Sequence, residues 1–361
     1  VLLLATLLPF SGCTRPPELI GVTNPEIPVE SVSGITTHRV FITSTRQATE
    51  VSGAFFSSER APDLALASVD VTVPPVHVTG DVERPSRLPP DPARHFTIVN
   101  PVVYAEDAAF SATLRRELAT RPPGERKILL FVHGYNNTAS DAILRLAQFV
   151  HDTGFQGVPV LFSWASAGSA PRYVYDLNSA LIARVQSKNM GRILLASGAE
   201  SLDVFAHSMG AFLMMEGLVD NQLSGQLGGG GYLGTIMLAS PDIDIDLFRT
   251  QIGILPEAIR NNMFLLISKD DAALRVSRRI AGGVPRVGAA DAAELEGLGV
   301  TVIDLSAIED SASGSHSKFA GSPEVVRLIG AGLNSVGGFD KSATPALGEL
   351  LVGVPIQIIG R

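Results

Sequence analysis

The sequence predicts an α/β fold: a mainly parallel twisted sheet with helices on both faces. Three observations carry this. Short β-branched or aliphatic runs recur from Lys127 onward, at 128–132, 158–162, 202–206, 234–239, 263–268 and 300–305. Segments of helical period lie between them, and such alternation implies crossover connections and parallel strands. Of the 361 residues 45% are apolar and 18% charged, enough for a large core and too apolar for wholesale disorder.

Residues 1–13 read VLLLATLLPFSGC, an apolar run closed by small residues before the only cysteine. It is shorter than the ~20 apolar residues that span a bilayer and has the character of a secretory h-region. Ser11-Gly12-Cys13 resembles a bacterial lipobox, with Phe10 where leucine is usual. The expectation is a signal peptide over 1–12, lipidation of Cys13 and a location in the cell envelope on the periplasmic side, tethered to the membrane by the lipid. Residues 13–34 are proline-rich and polar, as a tether would be. The remainder, 35–361, is expected to be one domain.

Within that domain, 38–43 (HRVFIT) and 96–104 (FTIVNPVVY) read as strands. The prolines at 74, 75, 89, 90 and 92 exclude a helix interior between them. Over Ala139–Thr153, Ile143, Leu144, Ala147 and Val150 share one face opposite charged residues, which predicts a helix. The tail after Asn334 has no readable pattern.

The run 202–210 (LDVFAHSMG) is a strand entering a tight turn, and 211–215 (AFLMM) begins a helix. That is the setting of a nucleophile elbow, small-x-Ser-x-Gly, in which the serine occupies a strained turn and its neighbours two away must be small. Gly210 meets the demand, and Ala206 exceeds the usual glycine by one methyl. Ser208 is the candidate nucleophile, its helix N-terminus favouring developing negative charge. A serine that merely caps a helix after a core strand is the alternative reading of this string alone.

Elbows of this kind take their partners in the chain order Ser, acid, His. Six of the seven histidines precede Ser208, which leaves His316, in a loop of small residues after the last strand. The acid must follow a strand between the two. Asp242, Asp244 and Asp246 form one such cluster and Asp270 with Asp271 another; the later strand favours the second. An oxyanion would be held by the backbone N–H of Met209 and a donor from loop 133–138 (HGYNNT), where Gly134 permits an inward turn and Tyr135 is the candidate. His133 and Asn136 are expected to brace that loop.

Other classes fit poorly. A net charge of −8, from 28 basic and 36 acidic residues without a basic run, argues against nucleic acid as a partner. One cysteine excludes an intrachain disulfide, and no histidines stand at a metal-pair spacing such as H-E-x-x-H. Gly229-x-Gly231-x-x-Gly234 spells a dinucleotide fingerprint but follows a helix and precedes a strand, the reverse of the required order.

The segments FVHGYNNT (131–138), RLAQFVHDTGFQGVPVLFSWAS (145–166), YVYD (173–176), AHSMG (206–210), SPDIDIDLF (240–248), DAALRVSRRIAGG (271–283) and His316 occur in order. Together they resemble the bacterial α/β hydrolases of unknown function (domain of unknown function 900), which are esterase- and lipase-like. HRVFITSTR (38–46) and FFSSERA (55–61) are similar to that family's N-terminal strand region, so the resemblance spans about 35–335. Ala165 replaces the proline of the usual FSWPS. The resemblance implies an α/β-hydrolase fold and serine-hydrolase chemistry, and aligning S-x-x-D-x-A-L with 268–274 selects Asp271 as the acid. Asp270 then reads as a solvated or loop-capping neighbour, and Asp242, Asp244 and Asp246 as capping residues for the helix that follows.

The expected function is therefore a serine hydrolase acting on a small-molecule or lipid-like carboxylic ester through Ser208, Asp271 and His316, needing no cofactor. Trp164, Tyr173 and Tyr175 are candidate pocket residues. A peptidase or amidase of the same fold and a non-catalytic envelope interaction protein are the alternatives.

Overall fold

A computed structural model describes residues 15–227, 231–308, 315–334 and 356–360. Cys13, the apolar leader and most of the tail lie outside the described residues. Ten strands form one sheet: β1 (Thr36–Ala48), β2 (Phe56–Val73), β3 (Thr97–Tyr104), β4 (Lys127–Val132), β5 (Val158–Ser163), β6 (Ser201–His207), β7 (Leu233–Ala239), β8 (Met263–Ile267), β9 (Thr301–Asp304) and β10 (Gln357–Ile359). The helices are α1 (Asp107–Ala119), α2 (Ala139–Thr153), α3 (Tyr173–Ala183), α4 (Ser187–Leu195), α5 (Met209–Leu223), α6 (Ile245–Ile254), α7 (Glu257–Arg260), α8 (Ala272–Ile280), α9 (Lys318–Gly321) and α10 (Pro323–Asn334).

The strand order is β10-β9-β8-β7-β6-β4-β5-β1-β2-β3. From β1 to β9 across the middle all neighbours are parallel; β2, β3 and β10 pair antiparallel at the two edges. Each of the six runs expected as strands after Lys127 forms one.

The pleat divides the interior into two cores. Along β4, Ile128, Leu130 and Val132 point into the core that receives α1, α3, α4, α5 and α6. Leu129 and Phe131 point the other way, against α2 and α10. Successive side chains of a strand face opposite ways, so a strand covered on both sides must be apolar at every position. That is why these strands read as unbroken aliphatic runs rather than alternating ones.

The amphipathic helix expected at 139–153 is α2, started by a capping box in which Thr138 accepts from the Asp141 N–H and Asp141 accepts from the Thr138 N–H. Two elements departed from expectation. β2 runs for 18 residues yet contains Arg60, Pro62 and Asp63 in an exposed half, which hid it from a search for apolar runs. The segment read as a tether packs against the body: Leu19 is fully buried, its N–H donates to Ser140 Oγ at 3.2 Å, and Ile20 bridges to Gly53 and Ile98. Polar contacts add to these apolar ones: Arg15 pairs with Asp141 at 2.9 Å, and Pro17 O accepts from Arg84 at 3.0 Å.

Candidate active site

The strand β6 ends at His207 and α5 begins at Met209, so Ser208 occupies the turn between them at φ +56°, ψ −123°. That region is open to glycine and strained for serine. The turn is held by Ser208 N–H donating to Ala239 O (2.9 Å) and Asp242 N–H donating to Ser208 O (3.2 Å). A Cβ on Gly210 would lie 2.4 Å from His133 O and 2.6 Å from Val132 O. Only glycine lets α5 start this close to the end of β4. A Cβ on Gly134 would come within 3.0 Å of Ser208 Cβ, so loop 133–138 lies directly on the turn.

His316 Nε2 is 3.1 Å from Ser208 Oγ, and His316 Nδ1 is 2.7 Å from Asp271 Oδ2. The three residues, from the ends of two strands and a distant loop, form one hydrogen-bonded chain. Asp271 is fully buried, and its second oxygen caps α8 by accepting from the Leu274 N–H at 2.9 Å. One carboxylate thus orients an imidazole and starts a helix. Asp244 caps α6, as a neighbour in the other acidic cluster was expected to do.

Of its two expected readings, solvated or loop-capping, Asp270 takes the second. It accepts from Lys318 Nζ at 3.0 Å and from Ser315 Oγ at 2.5 Å, pinning both sides of His316. Burial opposes its charge, but bonds from Ser268, Ser315 and Lys318 hold its carboxyl below the usual range. On the far side His207 Nε2–H donates to the backbone oxygen of His316 at 3.1 Å. Burial, then the neighbouring His316, keep His207 neutral by pushing its pKa well down.

The loop carrying Tyr135 is braced by His133, as expected, and by Asn137 in place of Asn136. The Asn137 side chain, not Asn136, donates to Gly134 O (3.1 Å) and Tyr135 O (2.9 Å). Asn136 is exposed and left-handed at φ +61°, its N–H donating to Asp176 Oδ2 at 3.2 Å. His133 is buried, stacked on Trp164 at 5.1 Å, with Nδ1 bonded to Gly134 O. Arg46 lies beneath, 1% exposed, donating to Ser163 Oγ, Ser166 O and Asn137 O at 2.8–2.9 Å. All these acceptors are neutral, and burial brings the guanidinium pKa down to about 10. Met209, as the first residue of α5, has an N–H without an intrahelical acceptor.

A small pocket of about 40 Å³ adjoins Ser208 and His316, lined by Tyr135, Tyr173, Asp242, Leu274, Val276 and Ser277. Its polar wall is a buried network. Asp242 accepts from Tyr173 Oη (2.9 Å) and Ser277 Oγ (2.5 Å), with Arg286 Nε 3.3 Å away. Burial, then Asp242, push the Tyr173 phenol above its usual range. Of the three aromatics singled out in the sequence, only Tyr173 reaches the pocket. Trp164 is core, and Tyr175 is held between the guanidinium groups of Arg60 and Arg172, at 4.1 and 4.0 Å.

Arg46, Asp176, Lys318 and His207 were not identified from sequence, and Asp242 was considered there only as an alternative acid. Arg46, Asp176 and His207 lie inside the quoted family segments, but nothing in their spacing says what they touch.

Residues 106–332 match the family model described as alpha/beta hydrolase of unknown function (DUF900). The match begins after β3, so the N-terminal strands stand outside it, a narrower span than the sequence resemblance suggested. A search of curated proteins gives no significant match.

Proposed function

The chain belongs to the alpha/beta hydrolases of unknown function (DUF900), and on that premise we propose that it is a serine hydrolase cleaving carboxylic esters. The observation that carries this is the hydrogen-bonded chain from Ser208 Oγ through His316 to buried Asp271. In this reading Ser208 Oγ attacks the acyl carbon while its proton passes to His316 Nε2. Asp271 accepts the Nδ1–H bond, fixing the tautomer and stabilising the imidazolium. The N–H groups of Met209 and Tyr135 hold the oxyanion, each worth roughly 2.7–4 kcal/mol. His316 then protonates the leaving alkoxide, and a water deprotonated by His316 releases the acid and restores Ser208.

The pocket of about 40 Å³ is far smaller than the roughly 300–1,000 Å³ clefts that enclose drug-sized ligands. It favours esters of short acids over long-chain lipids. We place the enzyme in the cell envelope, anchored through a lipid on Cys13. Among the described residues no helix is long and apolar enough to cross a membrane.

Labelling by a fluorophosphonate probe tests the chemistry. The expected result is labelling of the full chain that is lost in Ser208→Ala, together with hydrolysis of p-nitrophenyl acetate faster than of long-chain esters. Absence of both labelling and turnover in well-folded protein would overturn the proposal in favour of a binding role.

A further inference from the structure

Three histidines far apart in sequence meet at the C-terminal end of α2, about 20 Å along that helix from Thr138. His38 comes from β1, His77 from the proline-dotted connection between β2 and β3, and His151 with Asp152 from the last turn of α2. One ligand atom each from His77, His151 and Asp152 lie within 4.8 Å of one another. We propose that these three residues bind a divalent first-row transition ion of the Zn²⁺ class, as a structural staple.

The donor set is the first argument. Imidazole nitrogens with a carboxylate oxygen suit Zn²⁺, Ni²⁺ or Cu²⁺, whereas Mg²⁺ and Ca²⁺ take oxygen alone. Ligand atoms about 2.0–2.2 Å from a common ion stand roughly 3–4 Å apart, so modest ring rotations close the site.

The surroundings are the second argument, because each ligand is held by a group behind it. Glu83 Oε2 takes His77 Nδ1 at 2.7 Å, and Glu83 Oε1 is itself fixed by the Val78 N–H at 2.8 Å. Asp152 Oδ2 accepts from the Gly80 N–H and from Gln148, leaving Oδ1 toward His77 Nε2 at 2.8 Å. His38 Nε2 meets His151 Nδ1 at 3.2 Å. A carboxylate behind a ligating histidine orients it and raises its basicity, the usual backing of a metal-bound imidazole.

Charge is the third. Glu83 and Asp152 bring two negative charges to a site where the His77 side chain is 6% exposed and that of Asp152 1%. One dication balances both and leaves every imidazole neutral. The ion would tie the connection after β2 to α2. None of the three ligands lines the pocket at Ser208, which makes the role structural.

The test uses the purified full chain, stripped with chelator and passed through gel filtration after addition of Zn²⁺. One retained equivalent, a raised melting temperature and proton release on binding are expected. His77→Gln should abolish retention, and Glu83→Gln should weaken affinity about 10–100-fold. His316→Gln should keep the equivalent, excluding the Ser208 site as its origin. Co²⁺ added to the wild type should show ligand-field bands unlike those of the aquo ion, a readout that does not depend on any variant folding. No retained ion in the wild type, or equal retention in His77→Gln, means that His77 merely bridges two carboxylates through protons, and overturns the proposal.

Discussion

The Lys318 ammonium, 1% exposed, lies 3.0 Å from the Asp270 carboxylate, next in sequence to the Asp271 that meets His316. Lys318 follows His316 by two residues, so this ion pair ties the loop bearing the imidazole to the loop bearing its carboxylate. Ser268 Oγ and Leu305 O accept further bonds from Nζ at 2.9 and 3.0 Å. The pair acts on the site by holding two loops in register.

Removing that restraint should cost turnover more than fold. Asp270→Asn keeps the shape but gives up the charge-assisted bond, worth about 1.5–3 kcal/mol where such pairs are enclosed and less here, because the Asp270 side chain is 48% exposed. A 1 Å displacement of His316 can lower the rate up to about 10²-fold. The expected outcome is a reduced kcat with KM little changed, read from steady-state kinetics on a short-chain ester beside a melting curve.

Asp271→Asn should fold normally and lose at least about 10²-fold in turnover. An asparagine still caps α8 through its oxygen, but the imidazole loses the carboxylate that fixes its tautomer and stabilises its cation. Asp244→Asn, which exchanges one good helix cap for another, should leave the rate near wild type. If Asp271→Asn kept full activity, the acid would lie elsewhere.

The strain at Ser208 can be measured by comparing two inactive variants. Ser208→Ala and Ser208→Gly both lose the hydroxyl, but alanine retains the unfavourable φ of +56°. The glycine variant should be the more stable by about 1 kcal/mol in urea unfolding. Equal stabilities would show that the turn is unstrained.

Acid should destabilise the protein through His133, whose pKa burial and then Arg46 push down to about 3. The unfolded value is about 6.5. Between these the unfolded chain binds a proton that the native state does not. The stability is fully present above about pH 6.5 and is lost as pH falls, by about 1.4 kcal/mol per pH unit. Unfolding free energies between about pH 6 and 4 should fall less steeply by that amount in His133→Gln; an unchanged slope would show that His133 titrates normally.

The proposed envelope location has its own test. The full-length protein should partition into membranes, and Cys13→Ser should release it to the soluble fraction. Two soluble forms would remove lipidation and leave only the secretory leader.

The sequence by itself determined the parallel sheet and the position of the candidate nucleophile, because both are local. A strand buried on both faces must be apolar throughout, and a serine held in a strained turn needs small neighbours such as Ala206 and Gly210. Counting along the chain then left His316 as the one histidine after Ser208, and the family segment singled out Asp271. What surrounds these residues was decided only by tertiary structure. Asp270 reads as a loop carboxylate until Lys318 is brought against it, and Asn137 takes the bracing role expected of Asn136, whose backbone is left-handed and whose N–H turns to Asp176. Arg46 in β1, and the meeting of His38, His77 and His151, depend on contacts between segments up to 120 residues apart. Hydrophobic periodicity reports which face of an element is buried, but carries no record of which distant polar group it will meet there.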